Sequence, residues 1–492
     1  MQTEVPDCRI RDLNQAPINP DGQWVVYWMT AFRRTDFNFA LQYARDWSLH
    51  LGRPLLVLEG LRCDYPWASD RFHRFVIQGM LDNASACKAA GVAYYPYVEP
   101  QRAAGRGLLE ALAQKACLFV GDDFPCFFHP GMFRRLADRL SCRLSMVDAN
   151  GLMPLSQADR TFTVAHSYRR WMQKTLPDHL QSSPELQPLA GKLISDASGL
   201  SSLPRSITDR WPVASLSRLA EPGGLSELPI DHLVAAVELR GGAVQAQRLL
   251  KQFVRNRLAG YQHDRNEPDL EGSTGLSPYL HFGHLSCHQL FWEIMKQQQW
   301  NPSRLAGPNG KVEGFWGVDP NAEALLDQLC TWREIGLNMC WREPNYDAYD
   351  SLPTWALQTL DDHRHDPRAV VYDLDQLEFA NTGDPIWNAA QRQLLIEGRM
   401  HNYLRMLWGK NILGWTKSPE QALQFMIELN NKYALDGRDP NSYSGIFWVL
   451  GRYDRAWGPE RQVFGKIRYM TSQNTARKHA LRQYLAKYST LT

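Results

Sequence analysis

The sequence is most informative first in what it lacks. No apolar run among its 492 residues reaches the roughly 18 that a membrane helix needs, so no membrane span is expected. The opening stretch MQTEVPDCRIRDLNQ has no apolar signal core, and the expected location is the cytoplasm. Nine cysteines are present, but none form a C-x-x-C pair or a Cys/His ligand spacing. A disulfide framework and a metal site are therefore disfavoured. Net charge is only +2, which excludes a uniformly basic nucleic-acid coat but leaves room for a local basic face. No G-x-G-x-x-G fingerprint follows the first strand candidate, so a dinucleotide held there in the usual way is disfavoured.

Aromatic residues, in contrast, are abundant: 17 Trp, 19 Tyr and 19 Phe. Rings in such number either fill large cores or stack on ligands and relay electrons, and composition leaves both readings open. The length predicts two or more domains. Gln23–Met29, Pro54–Leu61, Val92–Val98, Cys117–Gly121 and Leu144–Asp148 read as strands, with helical patterns at Phe37–Leu51 and Arg71–Ala90 between them. Apolar strands alternating with helices predict a mostly parallel sheet, an α/β Rossmann-like domain over residues 20–190. Residues 191–235 are rich in Ser, Pro, Gly and Leu and read as a linker. Residues 236–485 read as an all-α domain. Within it Asp384 and Pro385 predict a helix start, and Met400, Tyr403, Leu404, Leu407 and Trp408 recur at helical spacing.

Four stretches concentrate chemistry. Gly272–Gly283 (GSTGLSPYLHFG) offers hydroxyls and N–H groups before a helix, suited to a phosphate or to an ordinary capped start. The others are Leu326–Met339 (LDQLCTWREIGLNM), Trp387–Trp415 and Asn430–Trp448, the last continued by Asp454–Met470. In their order and wording, GSTGLSPYLHFG, WNAAQ, GRMHNYLRMLWGKNILGW, YALDGRDPNSY and VFGKIRYM resemble the flavin domain of the photolyase/cryptochrome superfamily. WNAAQ, LDGRDPN and FGKIRYM resemble its class II cyclobutane pyrimidine dimer photolyases.

That resemblance implies an FAD-binding helical domain and light-driven splitting of pyrimidine dimers in DNA. It implies that Tyr261 and the turn Ser273, Thr274, Gly275, Leu276, Ser277 hold the pyrophosphate and ribitol. Arg333, Asn402, Arg405, Asn430, Asp436 and Asp439 are implied flavin neighbours. Arg405 can favour negative charge on the reduced ring, with Asp436 fixing its fork through a bidentate pair, although a structural ion pair reads the same way. Trp408 and Trp387 match electron-transfer tryptophans, with Tyr372 as a further member. Trp415 is an equal candidate for transfer or packing. Trp332, Met406 and Trp448 match residues that receive a flipped-out dimer. Arg455, Lys466 and Arg468 are implied DNA contacts, or else a solvated helical face. The partner is damaged DNA, and a monomer is expected. An antenna chromophore, deazaflavin or folate, is common in such proteins, but no residue here identifies one.

The sequence departs from the family pattern at Gln328, where dimer photolyases usually carry a glutamate four residues before the tryptophan. A glutamine can donate a hydrogen bond but has no carboxyl proton to share. Slower dimer repair, a (6-4) lesion, and a cryptochrome-type photoreceptor without repair are three readings of that change.

Overall fold

Residues 3–191, 193–194 and 199–490 are described by the computed structural model. Of the expected linker, residues 192 and 195–198 lie outside the described residues. The chain forms two units, one of Met1–Asp159, Leu176–Lys251 and Leu276–Glu293, the other of Arg160–Thr175, Gln252–Gly275 and Ile294–Thr492. The units interleave along the chain, whereas the sequence reading treats residues 20–190, 191–235 and 236–485 as consecutive segments.

The first unit is built on a six-stranded sheet. Its strands are β1 (Ile10–Asp12), β2 (Trp24–Met29), β3 (Leu55–Leu61), β4 (Ala93–Val98), β5 (Ala116–Asp122) and β6 (Arg143–Val147), in the order β1-β6-β5-β2-β3-β4. Strands β2 to β6 pair in parallel, and β1 joins β6 antiparallel with Ile10 opposite Val147. All six residues of β2 are buried, as expected of a strand covered on both faces. Strand β1 carries no apolar pattern to announce it: its sequence is IRD, mostly exposed. Helix α1 (Phe39–Leu51) starts where Asn38 accepts the N–H groups of Ala40 and Leu41, and ends at Gly52 with φ 62°.

The strand order reverses between β5 and β2, the place where open α/β sheets ordinarily bind phosphates. Here Asp122, at the end of β5, accepts the N–H groups of Thr30, Ala31 and Phe32 at 2.8, 2.7 and 2.8 Å. Tyr27 donates its hydroxyl to the same carboxylate at 2.7 Å. The donors that a phosphate would need are thus taken, in keeping with the missing glycine fingerprint.

The second unit contains only helices and isolated bridges among its described residues. Helix α2 (Pro320–Asp327) runs through a π turn, Gln328–Trp332, into α3 (Arg333–Arg342). The others that matter are α4 (Pro385–Glu397), α5 (Asn402–Trp415), α6 (Pro419–Tyr433) and α7 (Pro440–Val449). Asp384 caps α4 through the N–H groups of Ile386 and Trp387, both at 3.0 Å, with Pro385 first in the helix. Gly398, with φ 66°, ends α4, so Met400 lies in the connector and not on the helix that its spacing suggested.

Two glycines set the helix crossings around the site. A Cβ on Gly336 of α3 would lie 2.6 Å from Ser444 Oγ and 2.7 Å from the Pro440 carbonyl, both on α7. A Cβ on Gly409 of α5 would lie 2.5 Å from the Val449 side chain. Helices α3 and α5 therefore both close on α7 at distances that only glycine permits.

Candidate functional site

Those crossings bring three expected pocket residues onto neighbouring helices. The rings of Trp332 and Trp448 lie 5.7 Å apart at 39°, and both are half-buried. The half-buried Met406 reaches α7 at Gly445, its Cε 3.8 Å from where a Cβ would stand. Gln328 opens the π turn; it is half-buried, and its side-chain amide hydrogen-bonds to none of the described residues. Single π turns favour functional sites because the inserted residue re-aims the side chains that follow. Arg333, next after the turn, is also half-buried.

Helix α5 carries the cation. Arg405 Nη2 meets Asp436 Oδ1 at 3.1 Å, and both side chains keep about a sixth of their surface exposed, 17% and 15%. The sequence suggested a two-pronged pair; the structure gives one contact. Asn430 is buried and donates its amide to Ser442 Oγ at 2.7 Å and to Asn431 Oδ1 at 3.2 Å. Its own Oδ1 takes no bond from the described residues, leaving an acceptor open. Asp439 is the N-cap of α7, accepting the Asn441 N–H at 2.9 Å. Asn402 is exposed at the start of α5.

Ahead of these helices, Tyr261 is buried, edge-on to Phe253 at 5.7 Å, with the Arg265 guanidinium 5.5 Å over its ring. Burial pushes the Tyr261 hydroxyl pKa up. The turn from Ser273 to Ser277 passes through Gly275 at φ 70°, with Leu276 buried and Ser277 exposed. Arg257, unremarked in the sequence, holds the turn by donating to the carbonyls of Glu271 at 3.0 Å and Ser273 at 3.1 Å. Next to it is a cavity of about 170 Å³, lined among others by Ser273, Gln393, Arg399, His401 and Lys487. Both ring nitrogens of His401 are buried there without a partner among the described residues, and burial lowers the imidazole pKa to about 4. Arg399 and Lys487 are paired with Glu397 at 2.8 and 2.9 Å, so the groups this cavity leaves open are the His401 nitrogens; Arg405 favours negative charge on a ring placed beside it, and the Asn430 acceptor suits an N–H donor.

The aromatic candidates form one continuous series. Trp408 and Trp387 lie parallel at 6.3 Å and 4°, both buried. Trp387 meets Trp415 edge-on at 5.5 Å, and Trp415 meets Tyr372 edge-on at 5.2 Å. The last two rings are half-buried. Trp387 donates its indole N–H to the Trp408 carbonyl at 3.0 Å, and Trp408 donates to Gln391 at 2.9 Å. The sequence left Trp415 between packing and transfer; its ring bridges Trp387 and Tyr372.

Arg455, Lys466 and Arg468 are exposed on the segment that follows α7. Trp457, not singled out in the sequence, contacts two of them, its ring centre 4.7 Å from the Arg455 guanidinium and 5.1 Å from that of Arg468. Asp454 accepts its indole N–H at 3.0 Å. Lys466 is paired with Glu460 at 3.2 Å. Only the fold reveals these pairings, since the partners are scattered between 454 and 468.

No family model matches the chain. It is, however, 32% identical over 483 residues to a deoxyribodipyrimidine photo-lyase of Methanothermobacter thermautotrophicus, covering 97% of each chain. It is 30% identical over 494 residues to a deoxyribodipyrimidine photo-lyase of Potorous tridactylus, covering 98% of this chain and 83% of the other. In fold it is similar to a bacterial class III photolyase from Agrobacterium tumefaciens, with a TM-score of 0.66 at 16% identity, over 96% of this chain and 86% of that one. The expected α/β and helical architecture is thereby borne out. With relatives of this identity along nearly its whole length, the chain belongs to the deoxyribodipyrimidine photolyases of the photolyase/cryptochrome superfamily.

Proposed function

We propose that this protein uses light to split cyclobutane pyrimidine dimers in DNA, with FAD as its cofactor, and that it is of the class II type. Tyr261, the Ser273–Ser277 turn, Arg333, Asn402, Arg405, Asn430, Asp436 and Asp439 hold the cofactor, and residues 236–485 serve as the FAD- and DNA-binding domain. When bound, FAD supplies the light-excited electron. The observation that carries this reading is the pair of half-buried indoles, Trp332 and Trp448, with the open amide of Gln328 on the same π turn as Trp332. A dimer flipped from the duplex needs two flat apolar surfaces and a hydrogen-bonding edge, and these three residues offer both. Arg405 favours negative charge on the ring next to it. The series Trp408, Trp387, Trp415, Tyr372 gives an electron a route toward a half-buried end. Arg455 and Arg468 meet phosphates.

The test is direct. Reduced, purified protein is illuminated with an oligonucleotide carrying one thymine dimer, and restored thymines are counted against a dark control. Light-dependent restoration is expected. Restoration only from a (6-4) lesion, or from neither, overturns the assignment.

A further inference from the structure

The π turn does more than widen a helix. Asp327 closes α2, and Trp332 ends the turn five residues later. In an unbroken α-helix, residues five apart point about 140° away from each other and do not meet. Here the Trp332 indole N–H reaches Asp327 Oδ2 at 3.1 Å. The carboxylate is itself gripped by Arg169, with Nε at 2.7 Å from Oδ1 and Nη2 at 3.2 Å from Oδ2. Arg169 donates its remaining nitrogen to the Gly310 carbonyl at 3.1 Å. Both charged side chains are buried, at 8% and 7% exposure, while the indole they hold is half-buried and faces Trp448. A two-pronged Arg–carboxylate pair fixes direction as well as distance, so the anchor of the indole cannot swing.

We infer that Asp327, locked by Arg169, is a positioning residue that fixes the Trp332 ring in the attitude needed to receive a flipped-out dimer. Asp327 neighbours Gln328, yet its oxygens are occupied by Arg169 and Trp332, so it does not stand in for the missing glutamate. The turn thus divides the labour between two adjacent residues: Asp327 holds the platform and Gln328 meets the ligand. The inference rests on the lesion-pocket reading of Trp332, and its test separates the two.

The probe is an oligonucleotide with one thymine dimer and its undamaged twin, and the readout is the ratio of their dissociation constants in the dark. Trp332→Phe keeps a ring but loses the N–H. It should lower that ratio about tenfold, the worth of one hydrogen bond to a charged group. Arg169→Met with Asp327→Leu removes the buried pair without leaving a lone charge, and should lower the ratio equally. The triple variant should lose no more than Trp332→Phe alone, because the pair acts through the indole N–H. Discrimination unchanged in Trp332→Phe but lost in Trp332→Ala overturns the inference alone. Full additivity in the triple variant overturns it too. Discrimination unchanged in Trp332→Ala overturns the lesion-pocket reading itself.

Discussion

The strand-end carboxylates of the α/β unit and two amides of the helical unit, Gln328 and Asn430, are used in opposite ways. At the strand ends of the α/β unit, carboxylates are spent on the protein. Asp122 takes three backbone N–H groups and a phenol. Glu59 takes Arg33 and Asn83, each at 2.9 Å, and Tyr94 at 2.6 Å. In the helical unit, the side-chain amide of Gln328, the Oδ1 of Asn430 and both buried nitrogens of His401 are left without partners among the described residues. An unsatisfied buried polar group costs free energy, so a fold tolerates it where something outside the chain completes it. In the proposed function the ligand completes the open groups of the helical unit, whereas the strand-end carboxylates serve stability.

The largest effect expected from this contrast is on stability. Asp122→Ala strands three N–H groups and the Tyr27 hydroxyl, and should cost about 4 kcal/mol of unfolding free energy. Arg405→Ala breaks one partly exposed contact and should cost under about 1 kcal/mol, yet abolish flavin retention. Denaturant midpoints and flavin absorbance per mole, measured on both variants, check the pair. Similar midpoints would erase the contrast.

Acid gives the next largest effect. Burial lowers the pKa of His73 in the α/β unit and of His401 in the helical unit, each to about 4. The unfolded chain takes up a proton near the ordinary value of about 6.5, while the folded chain resists until about 4. Between those values the unfolded state binds more protons, so stability falls as pH falls through that window. Each histidine should contribute up to about 1.4 kcal/mol per pH unit to the slope. His73→Leu and His401→Leu should each flatten the slope by that amount, as read from urea unfolding at successive pH values.

Much of this was legible in the sequence, for identifiable reasons. The five parallel strands are long apolar runs, and each core strand was found to within a residue or so at its ends, because burial on both faces leaves an unbroken apolar word. Strand β1 was missed since IRD carries no such word. The motifs named the residues proposed to face the ligand, but not the arrangements that hold them. The Arg257 clamp, the contacts of Trp457 with Arg455 and Arg468, and the Arg169–Asp327 lock join residues brought together by tertiary packing. The π turn, too, leaves no mark in LDQLCTW, since an inserted residue in a helix keeps helical torsions throughout.

A smaller effect sharpens the contrast within the open site. Gln328→Glu puts a carboxyl on an unpartnered, half-buried position and should raise the yield of dimer splitting several-fold by supplying a proton donor. Quantum yield on the dimer oligonucleotide is the measure. An unchanged or lower yield would mean that position 328 does not face the dimer.

The smallest effect lies outside both kinds of buried site, on the exposed segment after α7. Arg468 is exposed, and its guanidinium shares the Trp457 face system with Arg455. The proposed function places it on a phosphate, which carries no sequence or lesion information. Arg468→Ala should therefore weaken lesion-bearing and plain DNA by the same factor, about threefold, and reduce the salt slope of binding by about one. Lys466→Ala should do less, because its ammonium is already paired with Glu460 at 3.2 Å and releases little when it leaves. Titrations of both oligonucleotides at several salt concentrations separate these outcomes. A loss confined to lesion DNA would move Arg468 from the phosphate track into the pocket, and would show that recognition extends beyond the indole pair.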